Sequence, residues 1–169
     1  MSSKLNNEAV LSQLTNRFGN AILESSEPYG LLTVEIQSSS LLEVVQWIKD
    51  EPSLQVSFLT NIAGVHYPDT TGREFAVVYH LHSLVNNFRI RFKCFLPENA
   101  LMIDSLTSIY SGANWMERET FDFYGIQFNG HPNLVRILNE DSMDYFPMRK
   151  QYHLEDETRE DKDDRFFGR

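Results

Sequence analysis

The chain has 169 residues, 41% of them hydrophobic, with 24 acids against 15 bases for a formal net charge of −9; this fits one globular domain with tails. The acidic balance argues against general nucleic-acid binding, which needs cations to displace counterions from phosphate. An N-terminus without an apolar stretch, no run near the roughly 20 apolar residues that span a bilayer, and a single Cys94 argue against a signal peptide, a membrane helix and an intramolecular disulfide, and predict a soluble cytoplasmic protein.

Asn6 or Asn7 can cap a first helix whose apolar positions Val10, Leu11, Leu14 and Phe18 keep helical spacing up to Gly19. A turn at Glu27-Pro28-Tyr29-Gly30 precedes a predicted strand at 31–37. Ser40-Leu41-Leu42-Glu43 reads as a capping box opening a helix that stops before Pro52, and residues 54–66 read as a further strand. Phe75, Val77, Tyr79 and Leu81 then alternate with Ala76, Val78, His80 and His82. Phe88, Ile90, Phe92, Cys94 and Leu96 alternate with Arg89, Arg91 and Lys93. That period of two predicts a hairpin with one core face and one basic face, wet or engaged by a partner.

A short helix is expected around Ile103–Tyr110. Next, Asn114 can cap a helix with Glu117 as the reciprocal acid, ended by Gly125. The whole predicts an α+β domain over residues 1–138, two or three helices on a mixed or antiparallel sheet. Residues 139–169 read as an extended, charged segment lying on partner chains. Within it, 155–165 hold seven acids and three bases and no apolar residue, and the chain ends with Phe166 and Phe167.

Candidate chemistry is sparse. His80 and His82 share a strand face, but no further metal ligands are near in sequence. His131, between Gly130 and Pro132, could pair with Glu117, Glu119 or Asp122 for acid–base work, which would make the chain a hydrolase or lyase; a structural histidine is the plainer reading. No phosphate-binding glycine loop, nucleophile elbow or cluster-binding cysteine set occurs, so no catalytic, cofactor or metal residue is assigned.

The segment Trp115–Tyr124 is different. Trp115, Met116, Phe121, Phe123 and Tyr124 point to every side of a helix, among Glu117, Arg118, Glu119 and Asp122. Such a helix is expected to be covered all round, and its charges need partners. Arg118 and Asp122 form an i,i+4 pair, and the surplus acid at Glu119 or Asp122 calls for a guanidinium: Arg136 or Arg149 of this chain, or one across an interface.

From Trp115 to Leu134 the sequence Trp-Met-Glu-Arg-Glu-Thr-Phe-Asp-Phe-Tyr-Gly-Ile-Gln-Phe-Asn-Gly-His-Pro-Asn-Leu resembles the signature of the C-type subunits of respiratory complex I, the thirty-kilodalton subunits of NADH:quinone oxidoreductase. The resemblance runs through Phe58-Leu59-Thr60, Tyr79-His80-Leu81, Arg89–Lys93, Arg136-Ile137-Leu138 and Pro147-Met148-Arg149-Lys150, covering roughly residues 55–152. Val135 departs from a usually basic position, His66 from one often acidic, and Met148 from a common Leu.

The resemblance implies a non-catalytic member of the peripheral arm on the cytoplasmic side of the membrane. It would brace the quinone-reducing module beside the quinone-pocket (D-type) partner and cluster-bearing neighbours. FMN, iron–sulfur clusters, NADH and quinone would belong to those partners, and neither nucleic acid nor direct membrane insertion is implied. An equivalent subunit of a related membrane-bound hydrogenase or deazaflavin-linked dehydrogenase is the alternative. The residues that carry the resemblance and the expected interface are Trp115, Glu117, Arg118, Glu119, Asp122, Gly125, Gly130, His131, Pro132, Arg136, Pro147, Arg149, Lys150, Phe166 and Phe167.

Overall fold

Seven strands and three helices follow one another along residues 5–152, the part of the chain described by this computed structural model. Helix α1 (Asn7–Phe18) opens where Asn6 Oδ1 accepts the Ala9 N–H at 2.7 Å, and it buries Val10 and Leu14. Gly19, at φ +48°, turns the chain out of the helix. Strand β1 (Ile22–Ser26) has no counterpart in the sequence reading. Only Ile22 is partly covered, so its side chains carry no alternating pattern. Strand β2 (Leu32–Ile36) is as expected and is buried throughout.

Helix α2 (Leu41–Asp50) buries Leu41, Val44, Val45 and Ile48, but the expected capping box does not form. The chain enters α2 through a 3₁₀ turn at Ser38–Ser40, and with ψ near 0° at Ser40 its hydroxyl makes no capping bond. Strand β3 (Phe58–His66) starts four residues later than the apolar pattern suggests. Leu54 and Val56 are buried from a loop in which Gln55 has φ +47°. Strands β4 (Phe75–Ser83) and β5 (Phe88–Leu96) form the expected hairpin, in register from Phe75–Leu96 to Ser83–Phe88.

The main sheet has the order β1-β2-β5-β4-β3; β2 and β5 run parallel and the other neighbours antiparallel. A parallel pair requires a crossover, here supplied by α2, β3 and β4 together. In this register Val34, Phe92, Tyr79 and Ile62 lie side by side across four strands. That face meets Val10 and Leu14 of α1, Val44 and Ile48 of α2, and Ala113 in one hydrophobic cluster. The arrangement is a two-layer α+β domain. Each fully buried large apolar side chain, Phe75 and Phe92 among them, contributes about 1.5–3 kcal/mol of burial.

The opposite sheet face carries Glu35, His80 and Arg91, as the alternation predicts. It is knitted together rather than simply wet: Arg73 meets Glu35 at 2.6 Å, and Arg91 Nε donates to His80 Nε2 at 2.9 Å. That bond takes Nε2 of His80 only, and no cluster of three or more metal-ligating side chains occurs among the described residues.

The short helix expected at 103–110 is replaced by strand β6 (Met102–Asp104) and a turn. The Leu106 N–H goes to Glu117, and Ile109 and Tyr110 both donate back to Leu106 O, which closes one turn and no more. β6 pairs in parallel with β7 (Gln127–Asn129), and helix α3 (Ala113–Tyr124) joins the two, packing against β3.

Candidate assembly site around the third helix

Helix α3 begins at Ala113, with Gly112 in the capping position and no side-chain cap; Asn114 lies inside the helix and does not cap it. The expected stop at Gly125 does form. It adopts φ +78° and its N–H donates to Phe121 O at 2.8 Å. A Cβ there would also come within 2.5 Å of the Phe146 ring, so space as well as conformation demands glycine.

Asp122 is fully buried, and five donors converge on its carboxylate. Oδ1 accepts Arg136 Nη1 at 2.7 Å and Asn139 Nδ2 at 3.0 Å. Oδ2 accepts the N–H groups of Ile137, Leu138 and Asn139 at 3.1, 2.8 and 2.9 Å. Burial alone would raise its pKa. The Asn139 and Leu138 N–H groups and the Arg136 guanidinium outweigh that and hold the carboxyl well below the usual range. The guanidinium sought for the surplus acid is therefore Arg136 of the same chain. Its remaining hydrogen bonds reach the carbonyls of Asp122, Met143 and Tyr145, which ties α3 to the segment that follows it.

Glu117 is equally buried and differently served. It accepts the Leu106 N–H at 2.7 Å and the Ser105 hydroxyl at 2.6 Å, with no cation beside it among the described residues. Burial pushes its pKa up to about 7, the two hydrogen bonds only partly opposing. Instead of reaching back to the helix start, it fastens α3 to the end of β6.

Arg118 does not pair with Asp122 as the i,i+4 spacing suggests. Its Nε and Nη2 donate to the carbonyls of Val135 and Arg136 at 3.0 and 2.8 Å. Val135 serves through its carbonyl, so the loss of a basic side chain there leaves this contact intact. Arg149 donates to Tyr124 O at 2.9 Å, with its guanidinium over the rings of Phe75 and Phe146. Lys150 contributes its backbone N–H to His66 Nδ1 at 2.9 Å, where His66 stacks on Phe75 and burial lowers its pKa.

His131 accepts the Asn133 N–H on Nδ1, leaving Nε2–H to donate to Asn114 O at 3.0 Å; no carboxylate among the described residues hydrogen-bonds to the ring. Gly130, at φ +78°, and Pro132 shape that turn. Beyond Pro147, the Met148 N–H donates to Phe123 O. Asn139, Phe146, Met148 and Arg149 thus hold the first part of the expected extended segment against α3 of its own chain. Phe166 and Phe167 lie outside the described residues.

Within its own chain α3 is covered on two flanks. One flank rests on β3 so closely that a Cβ on Gly64 would meet Tyr124 at 2.5 Å, and another carries residues 134–149. Trp115, however, is 71% exposed, and Glu119 is exposed with no ion pair or hydrogen bond among the described residues. Sequence reasoning missed Ser105, Asn139 and Gly64. Ser105 and Asn139 act on residues 12 and 17 positions away, a distance at which no local pattern signals a partner.

The family described as "Respiratory-chain NADH dehydrogenase, 30 Kd subunit" matches residues 34–158, which include the sheet from the middle of β2 onward and all of the α3 assembly. The chain belongs to this family. Among its relatives, the C-type subunit of NADH-quinone oxidoreductase from Citrifermentans bemidjiense is 44% identical over 155 residues, 92% of this chain and 94% of that one. The solved trypsin-resistant fragment (1–134) of Nqo5 superposes with a TM-score of 0.63 at 29% identity, covering 75% of this chain and 98% of the fragment. A chain of the membrane-bound sulfane sulfur reductase, an archaeal respiratory membrane complex, shares the fold at 20% identity, with a TM-score of 0.71 over 87% of this chain and 85% of that one. In this thirty-kilodalton family member, the charges that the sequence singled out are mostly fasteners of its own fold, and the exposed part of α3 is confined to Trp115, Glu119 and their neighbours.

Proposed function

We propose that this chain is the thirty-kilodalton (C-type) subunit of an NADH:quinone oxidoreductase, a non-catalytic structural member of the peripheral arm that braces the quinone-reducing module. The observation that carries the reading is the near full-length match to a C-type relative, which spans the whole α3 assembly. The use of Glu117, Arg118, Asp122, His131, Arg136 and Arg149 as internal hydrogen-bonding partners is what a rigid spacer requires. It leaves a hydrolase or lyase built on His131 without a carboxylate partner among the described residues. No helix among the described residues is long and apolar enough to cross a membrane. Attachment would run through protein partners, the quinone-pocket chain and its cluster-bearing neighbour, on the cytoplasmic side. FMN, iron–sulfur clusters, NADH and quinone are held by those partners in this reading.

Affinity purification of the tagged chain from its native host tests this. A membrane-derived complex with NADH:quinone activity, flavin and iron is the expected result. A self-sufficient chain with its own redox centre and no associated complex overturns it.

A further inference from the structure

The two edges of the main sheet are built on opposite plans. β1 is five residues long, mostly exposed, and carries Glu24. β3 is nine residues long, Phe-Leu-Thr-Asn-Ile-Ala-Gly-Val-His, and holds neither proline nor a charged acid or base. Long, uncharged edges invite another strand, and monomeric proteins normally blunt them with charges, prolines, bulges or cover. Here one bulge, between Leu59 and Asn61, interrupts only the first part. From Asn61 to His66 the strand is regular against β4, and no backbone group of another described residue pairs with its outer side.

Beside that edge runs a groove between β3 and α3, lined by Asn61, Ala63, Glu119, Phe123 and Met148. Apolar side chains in it and next to it are uncovered: Met148, in the lining, is 41% exposed, and Trp115, one turn before Glu119, 71%. Among the four charges of the α3 signature, Glu119 alone makes no internal bond within the described residues, and it lies in this groove. An apolar channel with one unpaired carboxylate next to an open strand edge selects an extended peptide carrying a cation. Backbone pairing supplies affinity, and side chains read at alternate positions supply register. The exposed tryptophan is the type of residue that anchors such contacts.

We propose that an extended segment of another subunit adds to the sheet beside Asn61–His66 as a sixth strand. It places an arginine or lysine on Glu119 and apolar side chains against Trp115 and Phe123. The inference rests on the subunit reading above and goes further by fixing which surface is used and by what chemistry.

The test uses the whole complex from the native host, with benzoylphenylalanine replacing Trp115 in one strain and Met148 in another. Irradiation is expected to join each to one peptide of a different subunit that contains an arginine or lysine within a few residues. In the intact complex, amide exchange over Asn61–Val65 should be slower at alternate positions than in the isolated chain. Glu119→Lys and Asn61→Lys, both at exposed positions, should leave the thermal melt of the isolated chain unchanged. They should lower recovery of the chain with the complex after a salt wash about tenfold, the loss set by one interfacial ion pair and its register.

A complex that retains the chain but gives no crosslink to another subunit overturns the inference and spares the subunit reading. So do crosslinks confined to residues 153–169 or to a second copy, or unchanged exchange over Asn61–Val65. Absence of the wild-type chain from any such complex overturns both.

Discussion

Glu117 and Asp122 sit five residues apart on one helix, both wholly buried, and the fold treats them in opposite ways. Asp122 receives a guanidinium and four further N–H donors, so its charge is kept; Glu117 receives one N–H and one hydroxyl, so its charge is resisted. The difference lies in what packs against each position. Asp122 faces the loop 136–139, whose consecutive N–H groups curl around an anion. Glu117 faces the end of β6, where the backbone has a single N–H to spare. A buried carboxylate is therefore no fixed quantity, and its protonation is set by the count and charge of the donors that tertiary contact brings.

The contrast can be broken most severely at Arg136. Arg136→Ala leaves Asp122 buried without its cation and releases the carbonyls of Met143 and Tyr145. A loss of about 3–5 kcal/mol is expected in urea unfolding, the range for removing one partner of a buried pair. A loss below about 1 kcal/mol would show the ion pair to be incidental.

The contrast is sharpened by pH. The folded pKa of Glu117 is raised from 4.5 to about 7, so the native chain binds the extra proton between those values. Its contribution is full below pH 4.5 and is lost as pH rises through 7, a change of about 3 kcal/mol by linkage. Asp122, with its pKa lowered, runs the other way: its contribution is present above its unfolded pKa and disappears on acidification. Glu117→Gln, which can still accept from Leu106 and donate to Ser105, should remove the neutral-pH decline and melt higher than wild type at pH 8. An unaltered slope in a melting series from pH 5 to 8 would place the ionisation elsewhere.

Smaller effects follow from the fasteners between these groups. Gly125→Ala forces a side chain into both a left-handed backbone and the Phe146 ring, and should cost about 1–3 kcal/mol in thermal unfolding. Arg118→Met keeps the stem but leaves the carbonyls of Val135 and Arg136 without their donor. A cost of about 1 kcal/mol is expected, with no change in the pH slope.

What could be read from the chain alone follows the range of the interaction. The β4–β5 hairpin was legible because its period of two persists over nine residues in each strand. A cap at Asn6 or Asn7 and the stop at Gly125 were legible because a helix cap and a helix stop are settled within a few residues. The capping boxes at Ser40 and Asn114 misled, since a local motif yields when a longer-range contact claims the same group: Glu117 spends its oxygens on Ser105 and Leu106. β1 and the β6–β7 pair escaped notice because they are short and exist through a neighbour distant in sequence.

The same divide separates the charges of α3. That Glu117, Arg118, Glu119 and Asp122 needed partners was written in their setting among aromatics, and Arg136 stood among the two arginines proposed from this chain. Which acid it would meet, that Arg118 would turn to carbonyls, and that Glu119 would be left at an open edge were decided only when residues 134–152 folded back along the helix. Periodicity and caps are properties of neighbours along the chain. The state of a buried charge depends on donors that only the packed fold assembles.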